Sequence, residues 1–100
     1  MELSSDVKPP FQSVQSAKLS DQISRQLLET IVSGHYRPGD LLPAERDLAS
    51  MFDVSRVVVR EALTSLTEKG IISVRQGRGA TVNSTENWNN VLFSRYLLYL

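Results

Sequence analysis

Arg56 and Arg60 stand four residues apart directly after Ser55, a spacing that places both side chains on one face of a helix opened by a capping hydroxyl. A guanidinium offers paired N–H donors in a plane, so two on one face can reach phosphates or the edges of bases. Val59, Ala62, Leu63 and Leu66 follow the i, i+3, i+4, i+7 pattern of a buried stripe. At about 100° per residue, Arg56, Val57, Arg60 and Thr64 fall on the other side. Val57 is β-branched and apolar yet turned away from that stripe. A methyl contact with thymine would account for it, and so would a tolerated surface valine.

Two further sites carry compatible chemistry. Arg46 can neutralise a phosphate, or pair with Glu45, Asp47 or Asp53 as an ordinary surface cation. The run Gln76-Gly77-Arg78-Gly79 is a plain hairpin turn on one reading. On the other, an arginine and an amide flanked by glycines enter a minor groove or meet a phosphate.

Other chemistries find no support. Gly77-x-Gly79 falls short of a dinucleotide-binding loop, because Val82 stands where the third glycine belongs and a strand pattern follows in place of a helix. His35 is the single histidine and the chain has no cysteine, so no metal-ligand set forms and His35 reads as a loop side chain. No nucleophile, base and orienting group occur together, and Ser55 is engaged as a cap. The chain therefore reads as a non-enzyme with no cofactor site of its own.

The elements that must position these residues fit one small domain. One hundred residues, 41% of them apolar, support a single core of roughly 60 to 80 ordered residues. The absence of cysteine suits a reducing cytosol. The opening residues, with Glu2, Asp6, Pro9 and Pro10, lack the basic-then-apolar order of a secretory signal, and no apolar run reaches the length of a membrane span. A cytoplasmic protein without membrane contact is expected. Net charge is zero, which argues against unspecific nucleic-acid binding. Arg56, Arg60, Arg75 and Arg78 nevertheless follow most of the acids, among them Glu29, Asp40, Glu45, Asp47 and Asp53.

Residues 1–15 carry no periodicity and read as a flexible arm. Leu19, Ile23, Leu27 and Ile31 keep helical spacing, with Ser16 or Ser20 as cap and Gly34 beyond the end. Leu41 and Leu42 suggest a short strand. A second helix over residues 43–52 opens on Pro43 and buries Ala44, Leu48, Ala49 and Phe52, leaving Glu45, Arg46 and Asp47 wet. Asp53 and Val54 make a tight turn into the third helix, which ends at Lys69-Gly70. Ile72 and Val74 then alternate inward, residues 76–79 turn, and 80–82 return. The predicted class is α+β and mainly α: a winged helix-turn-helix of three helices and a two- to three-stranded wing hairpin over residues 16–82. Residues 83–90 read as a polar linker. The apolar run over 91–100 reads as the opening turns of a further element, as at the front end of a longer protein.

The run Pro38-Gly39-Asp40-x-Leu42-Pro43-Ala44-Glu45-Arg46-Asp47-Leu48-Ala49, with Val54-Ser55-Arg56, Val59-Arg60-Glu61-Ala62-Leu63, Leu66, Gly70-Ile71 and Gln76-Gly77-Arg78-Gly79-x-x-Val82, resembles the DNA-binding domain of GntR-family bacterial transcription regulators. The resemblance spans residues 19 to about 82. By position it implies operator contacts from Arg46, Ser55, Arg56, Arg60, Gln76, Gly77 and Arg78. Where many relatives carry threonine at one or both of the next two positions, this chain has Val57 and Val58, so hydroxyl hydrogen bonds are lost there. The resemblance also implies a C-terminal effector-binding domain that drives dimerisation, of which 91–100 would be the start. Asn87-Trp88-Asn89 followed by leucines is similar to the lead-in of the helical effector domain in the FadR-type branch, whose effector would be a small organic acid or sugar acid.

Together these features point to a sequence-specific regulator, a metabolite-responsive repressor, that binds a palindromic double-stranded operator as a homodimer. The rival is a winged helix that serves only as a protein-interaction module. Arg56, Arg60 and Arg78 on one surface separate the two, since a docking module has no need of them.

Overall fold

A computed structural model describes residues 14–88 of the chain. Its elements are α1 (Val14–Val32), α2 (Glu45–Phe52), α3 (Arg56–Glu68), β1 (Ile72–Arg75) and β2 (Gly79–Val82), followed by a 3-10 turn (Thr85–Asn87). α1 contains neither proline nor glycine and buries Ile23, Leu27, Leu28 and Ile31, with Leu19 half-buried at the margin. Ser16 and Ser20 do not cap it. They lie within the helix, where Ser20 Oγ donates to Ala17 O (3.0 Å) and Ser16 Oγ donates to Glu61 Oε1 on α3 (3.4 Å). Val14 and Gln15, expected in the arm, thus belong to α1; residues 1–13 lie outside the described residues.

Leu41 forms a single bridge to Thr81, and the Leu42 N–H donates to Ala80 O (2.8 Å). The expected short strand is therefore one bridge on the outer edge of β2. This pairing keeps the chain extended past Pro43, so α2 begins two residues later than the sequence suggests. Ala44 stands outside the helix as an exposed cap with no side-chain bond. Leu48 and Ala49 are buried and Phe52 is half-buried. Asp53 closes α2 in the left-handed conformation (φ 56°), which aspartate tolerates better than most residues. Its turn is tight, with the Val54 N–H donating to Ala49 O at 3.0 Å.

α3 opens as expected, the Val58 N–H donating to Ser55 Oγ (3.3 Å). Val58, Val59, Ala62, Leu63 and Leu66 are buried, and each valine or leucine side chain among them stabilises the fold by about 1.5–3 kcal/mol when removed from water. The helix stops at Lys69, and Gly70 follows with φ 75°. A side chain at Gly70 would be strained by that backbone and would run into the carbonyl oxygen of Asn87.

β1 and β2 pair antiparallel in the register Ile72↔Val82, Ser73↔Thr81, Val74↔Ala80, Arg75↔Gly79. Their turn is closed by the Arg78 N–H donating to Arg75 O (2.9 Å), with Gly77 at φ 83° in the third position, as a type II turn requires. Gly79 belongs to β2 and not to the turn. Ile72 is buried, but Val74, expected to face inward beside it, is 56% exposed. The hairpin runs out past the helical layer, so Val74 borders an open depression shared with Arg60, Leu63, Thr64 and Thr67.

The segment expected to be a free linker is packed as far as Trp88. Asn83 Nδ2 donates to Gly70 O (2.9 Å), Asn83 Oδ1 accepts from Ser73 Oγ (2.9 Å), and the Asn83 N–H donates to Ile71 O (2.9 Å). Trp88 is buried, and its indole N–H donates to Asn83 O at 3.3 Å. Residues 89–100, and with them the expected start of a further domain, lie outside the described residues.

Candidate nucleic-acid interface

α2 and α3 meet so that one carboxylate sits between the two arginines of α3. Glu45, the first residue of α2, accepts from Arg56 Nε on Oε1 (3.2 Å), from Arg60 Nη2 on Oε1 (2.9 Å) and from Arg60 Nε on Oε2 (3.1 Å). The arginine side chains remain 59% and 61% exposed, whereas that of Glu45 is 22% exposed. Sequence periodicity placed Glu45 on the wet side of α2; the structure instead shelters it beneath two guanidinium groups. Its position also sets an anion at a helix N-terminus, where the helix dipole favours it.

The Arg60 hydrogen bonds hold the Glu45 carboxyl below its ordinary value of 4.5, with Arg56 adding to the effect and partial burial opposing it. The same contact raises Arg60 above its already high value. A carboxyl depressed in the folded state stabilises the fold at pH values above its unfolded value, and that stabilisation disappears as pH falls through the folded value. Wild type should therefore melt slightly higher than Glu45→Gln at pH 7, and the two melting curves should converge as the pH falls below 4.5 and through the depressed Glu45 value. A gap that persisted or widened in acid would show that the ion pair does not stabilise the fold.

The remaining site residues divide by element. Ser55 caps α3 through its oxygen, and its hydroxyl donates no hydrogen bond among the described residues. Val57 is 56% exposed and lines a shallow depression with Arg60, Glu61 and Thr64. Arg46 is exposed on α2, and among the described residues it forms none of the ion pairs that were its alternative. Gln76, Gly77 and Arg78 project at the tip of the hairpin, next to Arg75. Arg56 and Arg60 are drawn together by Glu45. Among the described residues, no hydrogen bond or ion pair joins Arg46 or the hairpin tip to them. Sequence reading missed Glu45 and also Asn83, which ties the base of the hairpin to the end of α3. His35 is an exposed loop side chain whose Nδ1 lies 3.0 Å from Ser33 Oγ.

Comparison with known proteins gives this geometry a context. Residues 19–82 match the family model of bacterial regulatory proteins, gntR family. An uncharacterized HTH-type transcriptional regulator of Escherichia coli, YieP, is 42% identical over 71 residues, covering 71% of this chain and 31% of that protein. The chain spans about a quarter to a third of the length of the curated relatives it matches. Among solved structures, YtrA of Sulfolobus acidocaldarius, a GntR-family transcription factor, superposes with a TM-score of 0.61 at 37% identity, covering 79% of this chain and 85% of that one. The DNA-binding domain of AraR in complex with operator ORE1 superposes at 0.63 with 27% identity, covering 81% and 89%. These relatives are transcription regulators, and the winged-helix architecture read from the sequence is theirs.

Proposed function

The chain belongs to the gntR family of bacterial regulatory proteins, and we propose that it is the operator-reading portion of a transcription regulator, a repressor whose α3 enters the major groove of duplex DNA. The observation that carries this reading is the division of α3. Val59, Ala62, Leu63 and Leu66 face the core, while Arg56, Val57 and Arg60 stand exposed near its N-terminal end. That end of the second helix is the part which meets base edges in helix-turn-helix proteins. Arg46 and the tip residues Gln76, Gly77 and Arg78 take phosphates or the adjacent minor groove, with Ser55 at the start of α3. The AraR domain, solved on an operator, supports the same use of the fold here.

One winged helix places a single recognition helix and a single wing on DNA, too few contacts for tight specific binding. The full-length protein therefore binds a palindromic operator as a homodimer. Dimerisation and control by a small organic acid or sugar acid belong to a C-terminal domain of the FadR-type branch. Reading DNA in this way needs no cofactor and no metal, and places the protein in the cytoplasm; no helix among the described residues is long and apolar enough to cross a membrane.

Salt dependence tests the proposal. Association of the 100-residue chain with duplex DNA should weaken as salt rises, with a log–log slope of about −1 for each phosphate that an arginine such as Arg46 or Arg78 neutralises. A full palindrome should gain only modestly over a half-site for this chain. Absent retention on DNA, or retention indifferent to salt, would favour the protein-interaction module instead.

A further inference from the structure

We infer that Glu45 is a specificity-determining positioning residue, a carboxylate that aims Arg60 at a base and weakens binding to DNA of the wrong sequence. The inference rests on the DNA-reading proposal above and extends it to a residue that touches no DNA itself.

A guanidinium has two donor edges, one formed by Nε with one Nη and the other by the two Nη groups. Arg60 uses the first edge on Glu45, giving Nε to Oε2 at 3.1 Å and Nη2 to Oε1 at 2.9 Å. The second edge is left free on a side chain that is 61% exposed. That edge matches guanine, whose O6 and N7 accept a bidentate fork in the major groove. A long side chain held on one edge loses less rotamer freedom when the other edge binds. Glu45 is itself held in place, since it is the first residue of α2 and also accepts from Arg56 Nε at 3.2 Å. Arg56 gives up one donor only and keeps its outer edge.

The charge works in the same direction. Non-specific binding is dominated by phosphate neutralisation. An anion within hydrogen-bonding distance of two exposed arginines lowers their attraction for phosphate at every sequence, whereas the aimed fork is rewarded at one base. Both effects raise the ratio of specific to non-specific affinity, as repulsive elements do in other selective interfaces. The zero net charge of the chain is consistent with such restraint.

The test compares wild type, Glu45→Gln, Glu45→Asp, Arg60→Ala and the Glu45→Gln/Arg60→Ala double variant. Each is measured on a duplex that the wild-type chain selects from a randomised library, and on a random-sequence duplex of equal length. Glu45→Gln should bind the random duplex several-fold more tightly and lose roughly ten-fold in the selected-to-random ratio. Glu45→Asp keeps the charge but is one methylene too short to hold Arg60 at two points, so its ratio should fall without a gain on random DNA. In the Arg60→Ala background, Glu45→Gln should change the ratio less than about two-fold. The Arg60 Nε–H resonance should be resolved and slow to exchange in wild type and lost in Glu45→Gln, which reports the hold on Arg60; the selected-to-random ratio is the readout that a purely structural role for the carboxylate would leave unchanged. An unchanged ratio in both Glu45 variants would overturn the inference while leaving the DNA-reading role intact. A wild-type chain that selects no duplex would overturn that role, and the inference with it.

Discussion

Leu66→Ala is expected to leave the chain largely unfolded near 37 °C. Leu66 is 1% exposed and lies in the cluster that joins α1, α3 and the hairpin. Truncation removes its transfer free energy and leaves a cavity that a small domain cannot refill, at a cost of about 2–5 kcal/mol. Domains of this size have little more than that in total. Leu63→Ala acts in the same way with a smaller effect, since Leu63 is already 9% exposed at the edge of the cluster. Circular dichroism melts decide the matter. A cooperative transition within a few degrees of wild type for Leu66→Ala would mean that the core lies elsewhere.

Much of this core was legible because it is local. The stripe Val59, Ala62, Leu63, Leu66 and the α1 series Leu19, Ile23, Leu27, Ile31 are set by helical period alone, and all are buried except Leu19, which is half-buried at the margin. The Ser55 cap and the stop at Lys69-Gly70 are equally local, and the structure keeps both. What escaped sequence reading depends on partners far along the chain. α2 starts late because residues near 41 pair with residues near 81, a constraint that no window around Pro43 contains. Val74 shares a strand face with Ile72, yet whether that face is covered depends on where α3 ends beneath it. Trp88 follows a polar run without period, and only the fold brings its indole to Asn83.

The candidate site shows the same split. Arg56 and Arg60 share a face by spacing alone, so their exposure was readable. Glu45 is 11 residues from one and 15 from the other, and its role depends on the angle at which α2 crosses α3. That angle is set by the left-handed turn at Asp53. The turn was anticipated; the carboxylate it delivers was not. An acid at the front of α2 looks solvated until the helix behind it is placed.

The pair itself yields the second large effect. Arg60→Ala and Arg56→Ala should each weaken binding to a selected duplex by roughly five- to a hundred-fold while the melting temperature stays within a few degrees of wild type. Stability is spared because both side chains are about three-fifths exposed, and exposed ion pairs contribute little to folding. Arg60 should be the more sensitive of the two. It loses a two-point hold on Glu45 and the aimed fork together, whereas Arg56 loses one hydrogen bond. A phosphate contact should respond differently: Arg78→Ala should weaken selected and random duplexes by similar factors and flatten the salt slope by about one. Melting curves and duplex titrations on the same samples separate these outcomes. If Arg60→Ala weakened both duplexes equally, its guanidinium would be a phosphate ligand and not a reader of bases. If its affinity fell only in step with its stability, the exposed face of α3 would not be the binding face.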